Sequence, residues 1–334
     1  MAKSYNATEY MYSSARIRFL ETKIATGEQI NRLADAQSVE AVVGSLGDFG
    51  FEPIYDGSGK LCREDMLLGV MKVGFSELGG MECGAAVEFL KLQYDANNIK
   101  ALIKCEGAGI SADDMLLELG AISTEALKKA FLEKNYACFP ENMKKAIPLA
   151  EEAFAATANP QKVDFMIDAA AFADMLASAE KSEIPLAQKL VKCKIDTLNI
   201  MMAVRLIRMK LGSVGSAIFD EVFIHGGSLD KANLADAVES GEDRLCEAIA
   251  YGAYSSLGEL ISGGATLGEL EKAVDNMLIG IAKEARYVPF GAEIAIGYIF
   301  GLEYEVKNIR IILAGKEAGL SSEVIRERMR ESYV

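Results

Sequence analysis

The sequence predicts an all-α protein, and three observations support that prediction. Alanine, the strongest helix former, supplies 46 of the 334 residues. Threonine and tryptophan, which favour strands, and proline, which interrupts helices, are scarce, since there are seven threonines, no tryptophan and six prolines. Apolar residues also recur at helical spacing in three separate parts of the chain. Composition and periodicity therefore indicate the same fold class.

A short motif is repeated three times: an acidic residue followed, three positions later, by Asn-Ile. The copies lie roughly 100 positions apart, which is the spacing expected of three related units. The sequence thus predicts one helical unit over residues 1–140, a second over 141–240 and a third over 241–334. The acidic residue and the asparagine of each copy are, in order, Asp95 and Asn98, Asp196 and Asn199, and Glu305 and Asn308.

Each copy of the motif lies within an apolar stripe whose members are three or four positions apart. Residues with this spacing share one face of a helix, so each copy predicts a long helix with one buried face. Glycines follow each stripe and predict a break before another short helical stretch. The stripes are Phe89, Leu92, Ala96, Ile99 and Ile103; Leu190, Cys193, Thr197, Ile200 and Val204; and Ile299, Leu302, Val306, Ile309 and Leu313.

The repeated carboxylate and asparagine have two possible roles. Three such pairs could line a central pore or a ligand site, because residues at i and i+3 share a helix face. Alternatively, each pair could hold a neighbouring segment through buried side-chain hydrogen bonds. Asparagine inside a helix costs a few tenths of a kcal/mol relative to alanine, so its recurrence needs a compensating interaction. We favour the second role.

The charge of the chain excludes several classes of partner. With 35 basic and 49 acidic residues the net charge is −14, which opposes binding to nucleic acid and direct anchoring to anionic lipid. The most apolar stretch, Pro289 to Leu302, is shorter than a bilayer requires and contains Glu293. The N-terminal residues lack the apolar stretch of a secretory signal, so we expect the chain in the cytoplasm with reduced cysteines.

The sequence shows little that resembles an active site, and it predicts neither a cofactor nor a metal site. No two of the six cysteines form a Cys-x-x-Cys pair, and His225 is the single histidine. The best candidate for chemistry is Asp113 with Asp114, which would make the chain an all-α carboxylate- or metal-dependent enzyme. However, Leu117 stands where a third carboxylate would be needed. A helical adaptor that binds peptides is a further alternative.

The two ends of the chain resemble a known family. The C-terminal stretch Pro289–Val334 contains Pro-Phe-Gly, then EYEVKNIR from Glu303 to Arg310, and a final Ser-Tyr-Val. The stretch Tyr10–Ile24 contains an Ala-Arg-x-Arg core that begins at Ala15. These features are similar to the C subunit of prokaryotic V/A-type ATP synthases, a relative of the d subunit of eukaryotic V-ATPases.

The resemblance implies a function that is mechanical and not catalytic. It implies an all-helical, funnel-shaped subunit of three related domains with pseudo-threefold symmetry. Such a subunit lies between the shaft subunits of the rotor and the membrane rotor ring, which are its expected partners. Its expected location is the cytoplasmic face of the membrane, as a peripheral part of the complex. Neither the coupling ion, Na⁺ or H⁺, nor the direction of ATP chemistry follows from this chain, because the ion ligands belong to the ring.

Overall fold

The computed structural model describes residues 7–334, and it confirms the all-α prediction. Between its helices, the described part of the chain has turns, short 3₁₀ segments and one isolated antiparallel bridge between Tyr55 and Leu61. None of the helices in residues 7–334 combines the length and the apolarity needed to cross a membrane. The helices are α1 Met11–Glu21, α2 Gly27–Asp35, α3 Val39–Leu46, α4 Arg63–Gly79, α5 Glu88–Ala108, α6 Thr124–Leu132, α7 Glu141–Thr157, α8 Pro160–Lys181, α9 Pro185–Arg208, α10 Ser213–Val222, α11 Lys231–Ser240, α12 Glu242–Ile249, α13 Ser255–Ser262, α14 Leu267–Ala282, α15 Glu293–Glu317 and α16 Ser322–Arg328.

The backbone divides into two compact units. Unit 1 comprises the chain up to Val87 together with Glu271–Val334, and unit 2 comprises Glu88–Leu270. In unit 1, helices α1, α2, α3 and α4 pack on α15. In unit 2, α8 packs on α5, α7 and α9, and α11 also packs on α9. The threefold division at residues 140 and 240 rests on the sequence repeat and stays a prediction.

The repeated motif lies on helices α5, α9 and α15, which we call the long helices. The apolar stripes of these three helices are buried. Every member of the three predicted stripes is at most 7% exposed, which includes the weaker residues Cys193 and Thr197 of the second copy. Thr197 is accommodated because its hydroxyl donates to the carbonyl oxygen of Cys193 at 2.8 Å, so no polar group is left unpaired. The helical spacing therefore identified the buried face of each long helix.

The chain reverses direction in the same way after each long helix. Eleven positions beyond each asparagine, the backbone adopts a left-handed conformation, with φ of 67° at Gly109, 56° at Lys210 and 67° at Gly319. This conformation ends a helix and suits glycine, because a side chain crowds the backbone there. A short helical segment and then an irregular segment follow. The first copy differs from the prediction, since its helical segment is only the 3₁₀ turn Asp113–Met115.

Candidate functional site: buried ties on the long helices

The asparagine of each long helix binds the backbone of one residue in the irregular segment that follows. In the first copy, Asn98 Nδ2 donates to the carbonyl oxygen of Leu117 at 2.9 Å, and the Leu117 amide donates to Asn98 Oδ1 at 2.7 Å. The other two copies form the same two bonds at 2.8 to 3.0 Å. The three pairs, which we call the asparagine ties, are Asn98–Leu117, Asn199–Ile224 and Asn308–Arg330.

The three asparagine side chains are at most 2% exposed. An asparagine side chain has one carbonyl oxygen and one amino group, so it pairs with a peptide group as another peptide would. Each tie therefore satisfies a backbone donor and a backbone acceptor outside regular secondary structure. In each tie, the asparagine and its backbone partner belong to the same unit of the structure. This geometry supports the role of the asparagines in holding neighbouring segments.

The carboxylate of the first copy binds the same irregular segment a little further on. Asp95 accepts hydrogen bonds from the amides of Ala121 and Ile122 at 3.0 and 3.2 Å. Gly120 allows this approach, because a Cβ atom there would lie 2.0 Å from Asp95 Oδ1. Burial raises the pKa of Asp95 to about 6, although the two amide bonds act in the opposite direction. Asp95 thus holds a segment whose close packing depends on a glycine.

The second copy has the same arrangement with more donors. Asp196 accepts from the amides of Ser228 and Leu229 at 2.9 and 3.1 Å, and from the hydroxyl of Tyr254 at 2.8 Å. The approach again occurs at a glycine, since a Cβ atom on Gly227 would lie 2.0 Å from Asp196 Oδ1. Gly120 and Gly227 each lie three positions after the backbone partner of their tie. The first two copies therefore share a glycine that the motif itself does not reveal.

The third copy departs from this pattern. The position that corresponds to the glycines is Tyr333, whose side chain is 1% exposed. Glu305 does not bind that segment, and its Oε1 accepts from the amide of Ala25, between α1 and α2, at 2.7 Å. Glu305 Oε2 is buried, and no group within residues 7–334 forms a hydrogen bond with it. Burial raises the pKa of Glu305 to about 8.

The sequence features that carried the family resemblance meet inside unit 1. Arg18 of α1 donates to three carbonyl oxygens within residues 285–288, immediately before Pro-Phe-Gly, at 2.8 to 3.2 Å. The same guanidinium donates to Glu21 at 2.7 Å. Glu21 in turn accepts from the hydroxyl of Tyr333 at 2.9 Å. Ser14 of the same helix accepts from the Gly291 amide at 3.2 Å, so the opening helix binds both C-terminal features directly.

The candidates for chemistry lie elsewhere, in unit 2, and are exposed. Asp113 pairs with Lys128, and its pKa is lowered by the hydrogen bonds from Lys128 and Ser111. Asp114 and His225 are also exposed. Within residues 7–334, no group of three or more His, Cys, Asp or Glu side chains could hold a metal ion. Nothing in this geometry favours the enzyme alternative.

Comparison with known proteins identifies the family of this chain. A model of the ATP synthase (C/AC39) subunit family matches residues 13–328. The chain belongs to this family. The match spans both units and includes the motif residues of all three copies.

Related proteins match the chain over most of its length. The C subunit of the A-type ATP synthase of Thermococcus kodakarensis is 24% identical, with 97% of this chain and 91% of that protein covered. The C subunit of the V-type sodium ATPase of Enterococcus hirae is 23% identical, with 97% and 99% covered. The C subunit of the V-type ATP synthase of Thermus thermophilus is 24% identical over 74% of this chain and 75% of its own length. The resemblance seen in the sequence is thereby confirmed, and the chain is a subunit of a V/A-type ATPase.

Proposed function

We propose that this chain is a non-catalytic central-rotor subunit that couples the soluble shaft of a V/A-type ATPase to its membrane rotor ring. The observation that carries the proposal is the family match over residues 13–328, joined to relatives that are named as C subunits of ATP synthases and of a sodium ATPase. Its partners are then the shaft subunits and the ring. Its place is at the cytoplasmic face of the membrane, as a peripheral part of the complex.

The buried ties support a mechanical role. A subunit that transmits torque must resist deformation, and buried, fully paired polar networks make a fold more rigid. Each long helix has a buried and paired asparagine tie where an irregular segment packs along it, in addition to its contacts with other helices. The ties thus hold the irregular segments on the long helices, and irregular segments are the parts of a fold that open most easily.

Unit 1 also has a surface suited to a protein partner. Tyr12 and Phe19 lie on the exposed face of α1, and they are 72% and 54% exposed. Tyr287 and Phe290 are 88% and 41% exposed and belong to the loop that Arg18 binds. Exposed aromatic side chains of this kind are enriched at interaction sites. The acidic chain can therefore engage protein partners without attraction to anionic lipid.

The proposal is tested on the complex isolated from native membranes. We expect a tagged copy of the chain to co-purify with shaft and ring subunits. We also expect that depletion of the chain leaves ATP hydrolysis by the catalytic subunits intact but abolishes ATP-driven ion transport, and that adding the chain back restores it. Ion transport that persists at full rate without the chain would contradict the proposal.

The isolated chain provides a second test. It contains no Gly-x-x-x-x-Gly-Lys-Ser/Thr loop, so we expect purified protein to hydrolyse no ATP. ATP hydrolysis that stays with this chain through successive purification steps would overturn the non-catalytic assignment.

A further inference from the structure

The carboxylates of the three motif copies differ in how many of their oxygens receive a hydrogen bond. In Asp95 and Asp196, each of the two oxygens accepts at least one. In the part of the chain that the structure describes, Glu305 has one donor, the Ala25 amide on Oε1, and its Oε2 has none. A carboxylate without donors is costly to bury in its charged form, whereas a neutral carboxyl group costs much less. The environment of Glu305 therefore suits the protonated form.

Within residues 7–334, the ionisable groups around Glu305 do not supply a compensating cation. On α15 itself the nearby group is Tyr298, a neutral phenol whose surroundings also contain Glu21 of α1 and Glu77 of α4. Arg18 binds Glu21, and Arg16 binds Glu77 at 3.1 Å. Of the other α-helices packed on α15, α2 has the buried residues Ile30 and Leu33, α3 has Val42 and Val43, and α16 has Ile325, all of them apolar, and the C-terminal segment adds the phenol of Tyr333.

The position of Glu305 connects it to two parts of unit 1. Its partner Ala25 is 1% exposed and lies in the connection between α1 and α2. One helical turn before Glu305, Gly301 lies against the side chains of Ile24 and Tyr333, at 2.8 and 2.9 Å from an added Cβ atom. A charged Glu305 carboxylate would repel nearby carboxylates or draw in water. Either change would disturb the α1–α2 connection and the C-terminal segment together.

We propose that Glu305 is a protonation-sensitive latch, which holds the α1–α2 connection on α15 when its carboxyl group is neutral and loosens it when the proton is lost. Burial raises the pKa of Glu305 from an ordinary value of 4.5 to about 8, although the hydrogen bond from the Ala25 amide acts in the opposite direction, so the cost of burying the charge exceeds the gain from that one bond. The folded chain then keeps a proton that the unfolded chain releases. The stabilisation is complete below about pH 4.5 and is lost as the pH rises to about 8.

The test compares wild type with E305Q, which imitates the neutral carboxyl group at every pH. Urea unfolding of both proteins is measured from pH 5 to pH 9. We expect the ratio of the wild-type unfolding constant to that of E305Q to rise roughly tenfold per pH unit between about pH 5 and pH 8, and then to level off. E305Q should be the more stable protein at pH 9. Parallel pH profiles of the two proteins would overturn the proposal.

A matched control uses the corresponding residue of the second copy. In D196N an amino group replaces an oxygen that accepts hydrogen bonds, so we expect this variant to be less stable than wild type between pH 7 and pH 9. The two neutralising substitutions should therefore have opposite effects at pH 9. Destabilisation by both would contradict the latch.

If E305Q does not fold, hydrogen exchange in the wild-type protein decides the question. After correction for hydroxide catalysis, protection of the Ala25 amide should fall between pH 6 and pH 9 relative to the Leu229 amide, which Asp196 binds. Equal changes at the two amides would contradict the proposal.

Discussion

Replacing Asn199 by leucine tests the tie of the second copy. Leucine has the same number and branching of side-chain heavy atoms, so the change removes the hydrogen bonds and leaves the packing space filled. The Ile224 amide and carbonyl groups each lose a partner, which held them at 3.0 and 2.8 Å. Each of the two lost bonds is worth about 1 kcal/mol net, and Ile224 is only partly buried, so water can partly replace the lost partners. We expect the free energy of unfolding to fall by about 1 to 3 kcal/mol.

The assay is thermal unfolding followed by circular dichroism. A loss of 2 kcal/mol should lower the melting temperature by about 4 to 8 °C for a unit of this length. Asn233→Leu serves as the control, because Asn233 is exposed on α11 in the same unit and its replacement should change stability by less than about 0.5 kcal/mol. An unchanged melting temperature in Asn199→Leu, together with lost assembly of the complex, would refute the tie and place this asparagine on a partner surface.

Three further predictions follow from the repeat and from the charge. Gly227→Ala should destabilise the protein by more than about 2 kcal/mol in urea unfolding, because its Cβ atom would lie 2.0 Å from Asp196 Oδ1. The control Gly268→Ala, in an open helical position, should be neutral or slightly stabilising. Equal effects of the two substitutions would contradict this account. Lys210→Gly should raise the melting temperature by a few degrees through relief of about 1 kcal/mol of left-handed strain, and a decrease would argue against strain at this turn. In vesicle flotation at physiological salt, the isolated chain should bind membranes that contain the rotor ring and not ring-free anionic liposomes, since its net charge is −14; equal recovery on both would show direct lipid binding.

Much of the fold could be predicted because helical signals are local. The stripe around Ile309 identifies the buried face of α15 from residues at most a few turns apart, and the other copies follow the same rule. The need for a partner could also be predicted, since an asparagine inside a helix requires compensation. The identity of the partner could not. Ile224 lies 25 positions after Asn199, and the path of the intervening chain decides which peptide group meets the amide.

Within the motif, the sequence determined which side chains face the interior, and the tertiary structure decided what they bind. Asp196 and Glu305 occupy the same motif position and differ by one methylene group. Asp196 binds its own returning segment because Gly227 leaves space for the carboxylate. In the third copy the corresponding position is Tyr333, and Glu305 binds Ala25, about 280 positions away in the chain, leaving one buried oxygen without a donor. Helix periodicity is a property of neighbouring residues, whereas the hydrogen bonds of a buried carboxylate depend on every segment that packs around it.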